Sequence, residues 1–128
     1  MAADSTGTGI KWLADVADHD FDSAFNYLSI KYDDATAKKL VRKLKDTKVI
    51  SRRSNDILRA CGLTPLPISD PGVRRDLDKV IAGKKLSPVL VEKLPAGADI
   101  ADGYHRVSLA YNLDPFAEIP LRLAGLDS

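Results

Sequence analysis

The chain has 128 residues, 45% apolar and 29% charged, with a net charge of +1 at neutral pH. That length and balance fit one globular domain able to bury a core, and exclude a disordered or fibrous chain. The single cysteine, Cys61, excludes an intramolecular disulfide and a cysteine-based zinc cluster, and no apolar run reaches membrane-spanning length, so the expectation is a cytoplasmic protein with no membrane partner.

The charge is unevenly spread. Residues 1–37 carry seven acids and two bases, residues 38–59 nine bases and two acids, and residues 60–128 eight bases and nine acids. An acidic start thus precedes a basic middle, which leaves open a homodimer in which the start of one copy meets the middle of another.

Residues 1–9 are small and polar, read as a mobile tail, and have neither the charged start nor the apolar run of a signal peptide. Helical spacing then begins: Trp12, Leu13 and Val16 form one stripe, and Phe21, Ala24, Phe25 and Leu28 a second, with Asp20 placed to cap it. Asp18, His19 and Asp20 are metal-ligand types, but consecutive residues rarely converge on one ion and a polar helix junction explains them equally. Asp33 and Asp34 start a third helix whose apolar stripe is Ala37, Leu40, Val41 and Leu44. Lys38, Lys39, Arg42, Lys43 and Lys45 cover its other faces, and Arg52 and Arg53 extend the basic zone. Such a surface either lies along a DNA backbone or is simply solvated, and no interleaved aromatic residue supports stacking on single strands.

Residues 49–53 read as a strand, Ser54 as the cap of a short helix ended by Gly62, and residues 63–69 as a connector with two prolines. Cys61 at that helix end reads as a buried structural thiol. Asp70-Pro71 starts a helix whose buried face is Val73, Leu77, Val80 and Ile81. Residues 88–92 and 99–102 read as strands, residues 104–112 as a helix with Val107, Ala110 and Tyr111 on one face, and residues 118–124 as a last strand. Pro120 suits an edge there, and Arg122 faces solvent or a ligand. The expected class is α+β in one domain over residues 10–128, mainly helical at 10–62, with an α/β core at 63–128.

The stretch ADGYHR, residues 101–106, joins a strand, a glycine turn and a helix start. A helix start offers unpaired N–H groups and the positive end of the dipole, so it suits an anion. Arg106 adds a planar fork of donors, and His105 a donor whose charge changes near neutral pH. Asp102 is placed to cap the helix or to hold a divalent cation beside a phosphate. A phosphate-bearing ligand is the functional reading; a common Asp-Gly turn with a surface arginine is the structural one.

The segments IAGKKLSPVLV, IADGYHRVSLAY and EIPLRLA, within residues 69–124, resemble the ParB/sulfiredoxin superfamily, and WLADVADHDFDSAFNYLS and DILRACGL extend the likeness to small single-domain proteins labelled ParB-like nucleases. The resemblance implies a small mixed sheet with packed helices, preceded by a helical N-terminal half, and a turn that cradles nucleotide phosphates. It implies that Gly103 allows close approach, that His105 and Arg106 face the phosphates beside Tyr104, and that Mg2+ accompanies CTP or ATP. Asp102, His105 and Arg106 then become the residues of a hydrolytic or phosphoryl-transfer centre, with Asp102 nearest to a metal. Tyr104 stands where sulfiredoxin has its cysteine and ParB a glutamate, which removes sulfur chemistry and the ParB metal ligand. A ParB-like nuclease and a non-catalytic DNA- or protein-interaction module are the alternative functions.

Overall fold

The computed structural model describes residues 7–127, so the expected tail lies outside the described residues as far as residue 6. Among these residues five helices and four strands follow in the order α1 (Asp18–Lys31), α2 (Asp34–Lys45), β1 (Ile50–Arg53), α3 (Ser54–Cys61), α4 (Pro71–Ile81), β2 (Val89–Lys93), β3 (Ala98–Asp102), α5 (Tyr104–Leu113) and β4 (Glu118–Ala124). The class is α+β with a mixed sheet. Strand order is β1-β4-β2-β3, with β4 and β2 parallel and the two outer pairings antiparallel. β1, inside the stretch expected to be mainly helical, closes the sheet through β4, so the first half contributes an edge strand as well as helices.

Side chains alternate across the sheet and divide the core in two. Val89, Val91, Ile100 and Leu121 lie in a cluster with residues of α3, α4 and α5, whereas Leu90, Ala101 and Ala124 lie in one with α1 and α2. The sheet is therefore the middle of three layers, and β3 runs between the two helical layers into the turn at Gly103.

Local signals set the helix ends. Asp33 accepts the Thr36 N–H at 2.8 Å, Asp70 accepts from Gly72 and Val73 ahead of α4 with Pro71 in its first turn, and Gly62 ends α3 at φ +65°. Four local expectations are corrected. Trp12 is not helical: it bridges Leu86, with Leu13 N–H donating to Leu86 O and Leu86 N–H to Lys11 O, because a neighbouring chain satisfies this short stretch better than an uncapped turn of helix. Asp20 lies inside α1, and Ala17 holds the cap position. Ser54 is the first residue of α3, and its hydroxyl donates to Pro115 O at 2.9 Å instead of capping. Ile81 is 75% exposed, since α4 buries only Gly72 and Val73 fully.

Pro120 is on an inner strand, yet β4 pairs with β1 over Glu118 to Leu121 and with β2 only from Leu121 onward. Pro120 therefore sits where β4 has one neighbour, and its missing N–H disrupts no second ladder. Arg122 is largely withdrawn from solvent, with its side chain 12% exposed: its guanidinium grips Asp15 at 3.0 and 2.8 Å and ties the segment before α1 to the sheet. This pairing holds the Asp15 carboxyl below its usual value.

Candidate functional site

The turn between β3 and α5 is built around Gly103, whose φ of +113° lies in the left-handed region. A Cβ there would strike the Val89 side chain and lie 2.9 Å from the Arg106 guanidinium. Backbone conformation and packing both demand glycine, whatever binds nearby. α5 begins without a side-chain cap, so its first-turn N–H groups lack a side-chain acceptor. Asp102 is not the cap, because its carboxylate accepts from Arg106.

Arg106 donates from one nitrogen to Asp20 of α1 at 2.9 Å and from another to Asp102 at 2.7 Å. The arginine and Asp20 side chains are 13% and 7% exposed, and that of Asp102 is 20% exposed. One guanidinium thus serves two carboxylates and leaves the group with a formal charge of −1. Burial pushes the Asp102 carboxyl above its ordinary value despite Arg106, and Asp20 adds to the rise. Burial does the same to Asp76, against attraction from Arg106. Arg106 therefore locks α1 to β3 and α5, and its positive charge is already balanced by these two carboxylates.

His105 stands at the rim. Its Nε2 lies 3.5 Å from the Asp70 carboxylate that caps α4, and its side chain is half exposed. Gly72 of α4 packs so closely that a Cβ would overlap the imidazole ring. The starts of α4 and α5 thus meet at this histidine. Tyr104 turns away: its hydroxyl donates to Thr64 O at 2.6 Å and pins the connector. Two clefts share Gly103 and His105. The larger, about 370 Å³, runs past Ser23, Tyr27, Asp99 and Tyr104, and the smaller, about 150 Å³, past Asp20, Arg75, Asp76 and Arg106.

Beside the larger cleft lies a network that sequence reasoning missed. Glu92, 1% exposed on β2, accepts from Tyr32 Oη and from Lys31 Nζ, and Lys31 also donates to Asp99 at 2.8 Å. Tyr27 donates to the same Asp99 oxygen at 2.7 Å. Burial lowers the Lys31 ammonium, but hydrogen bonds to Asp99 and Glu92 outweigh it and raise the group. Burial and the Asp99 contact push Tyr27 up to about 12. These bonds fasten the end of α1 over the sheet.

The basic residues do not form one patch. Lys38 and Arg42 line a groove between α1 and α2, whereas Lys43 donates to the carbonyls of Gly125 and Leu126. Lys39 is exposed on the Lys43 side of the helix by its four-residue spacing. Arg52 and Arg53, successive residues of β1, point to opposite faces of the sheet. His19 is 82% exposed with Nε2 3.3 Å from Asp20, and no group of three metal-ligating side chains gathers among the described residues. Cys61 is half-buried, and burial, then Asp99, pushes its thiol up to about 11.

The magnesium ion implied by the resemblance finds no resident ligand set here. Asp102, its nearest carboxylate, is already bonded to Arg106, and so is Asp20. Among the described residues no helix is long and apolar enough to cross a membrane. Compared with protein families, curated proteins and solved structures, the chain matches none.

Proposed function

We propose that the chain binds a phosphate-bearing small molecule, with nucleotides as the first class, at the start of α5. The observation that carries this reading is the uncapped α5 start behind a left-handed Gly103, opening on two clefts with His105 at their shared rim. First-turn N–H groups and the imidazolium form of His105 supply donors to phosphate oxygens. Arg106 positions the turn through Asp20 and Asp102. The resemblance to the ParB/sulfiredoxin superfamily supports the same location. We propose binding without turnover, because both carboxylates nearest the turn are engaged by Arg106 and neither is poised to activate a nucleophile.

The same engagement favours a second reading, in which residues 101–106 are scaffold and the chain is an interaction module. Calorimetry with pyrophosphate, CTP and ATP, with and without magnesium, separates the two. Saturable binding that weakens at least tenfold in His105→Ala supports the first. Absence of binding to all three by the folded wild type rejects it and leaves the second.

A further inference from the structure

α1 and α2 form a hairpin joined by Tyr32 and Asp33, and the groove between them has a floor of Phe21, Phe25 and Val41. Lys38, Arg42 and Lys45 recur at i, i+4 and i+7 and form one cationic ridge along α2, spanning about 10 Å. On α1, Asp18 and Asp22 recur at i, i+4 and form a parallel acidic ridge that continues into Phe25. All five charged residues are exposed, and none has an ion-pair partner among the described residues. In contrast, the little-exposed cations Arg106 and Arg122 are both paired. Lys45 Nζ lies 5.2 Å from the centre of the Phe21 ring, so the end of α2 stands level with the start of α1.

We propose that this groove is the face of a symmetric dimer, and that its occupant is the same groove of a second copy. A two-fold interface needs a self-complementary patch. With the axis running along the groove, α1 of one copy lies over α2 of the other at the same height. Asp18 and Asp22 then face Arg42 and Lys45 across the interface, twice, while Phe25 and Val41 of the two copies meet along the axis. An acidic ridge beside a cationic ridge, flanking an apolar floor, is what such an arrangement requires. A polyanion fits less well, since it would meet the acidic ridge as well as the cationic one. Two helices of 14 and 12 residues offer a patch smaller than the roughly 800 Å² per partner of a stable complex, so the dimer is weak and salt-sensitive.

Sedimentation of the full chain from about 10 µM to about 1 mM, at low and high salt, reads this directly. The expected result is a concentration-dependent dimer that high salt dissociates. D18K/D22K makes the face wholly basic and R42E/K45E leaves Lys38 as the one base of the ridge, so each alone is expected to be monomeric. An equimolar mixture of the two is expected to form a heterodimer. Thermal melts of both variants establish that they are folded, and K38E/R42E replaces R42E/K45E if that pair is not. A wild type that stays monomeric, a variant that still dimerises alone, or a mixture that fails to associate overturns the proposal. A monomeric wild type whose retention on duplex DNA falls in R42E/K45E overturns it in favour of a polyanion surface.

Discussion

Replacing Arg106 by methionine tests whether the motif arginine is a structural lock. The substitution keeps much of the side-chain volume but leaves Asp20, whose side chain is 7% exposed, without its cation. Breaking a buried ion pair from one side costs about 3–5 kcal/mol, chiefly for the stranded charge. The lower end applies, because Asp102 is partly solvated and can relax toward water. With an unfolding entropy of about 2.1 cal/mol/K per residue, a loss of ~3 kcal/mol lowers the melting temperature of a chain this size by roughly 11 °C. Asp20→Asn alone should cost less, about 1–2 kcal/mol, since Arg106 retains Asp102. In R106M/D20N the stranded charge is gone, so the double variant should be more stable than R106M, with a coupling above ~1 kcal/mol. Urea denaturation of the four proteins measures the cycle. A loss below ~1 kcal/mol in R106M, or simple additivity in the double variant, would refute the lock and return Arg106 to the ligand.

Gly103→Ala combines left-handed strain with overlap on Val89, and should destabilise by about 2–5 kcal/mol in urea denaturation, where a loss below about 1 kcal/mol counts against the packing argument. Asp102 is raised above its ordinary value of 3.8, so the native state takes up its proton before the unfolded state does. The penalty of its charge is therefore present above the folded value and is relieved as pH falls toward 3.8; D102N should be at least as stable as wild type at neutral pH, and the difference should close on acidification. Asp15 is lowered and works in the opposite sense: its Arg122 pair stabilises above 3.8 and is lost as pH falls below it, so D15N should lose stability at neutral pH and converge with wild type in strong acid. Cys61, pushed up to about 11, should react with a thiol reagent at mildly alkaline pH roughly 100-fold more slowly than free cysteine, and a normal rate would show that the thiol is open to solvent.

Sequence signals that act within a few residues were readable. Asp33, Gly62 and Asp70-Pro71 set helix ends through contacts no more than five residues away, and all three stand where local chemistry places them. Trp12 shows where that ends. Its stripe of three apolar residues matched a helix, but pairing with Leu86, 74 positions on, satisfies the same backbone groups. Ile81 continued an apolar pattern past the point where any element covers α4, and spacing alone does not register the absence of a neighbour.

The candidate site divides in the same way. Gly103, His105 and the helix start were legible because a turn and a helix are local objects. The charge available at the turn was not, since it depends on Asp20, which lies 86 positions before Arg106. One signal did exist. Asp20, Ala24 and Leu28 recur every four residues, which puts a carboxylate on the buried stripe of α1 and requires a cation to meet it there. Glu92, inside an apolar strand, carries the same requirement, met by Lys31. A carboxylate in apolar phase is thus a demand for a partner, and the charge of the cation that answers it is balanced within the fold. The phosphate reading therefore rests on the backbone of α5 and on His105, and Arg106 belongs to it as the residue that holds them in place.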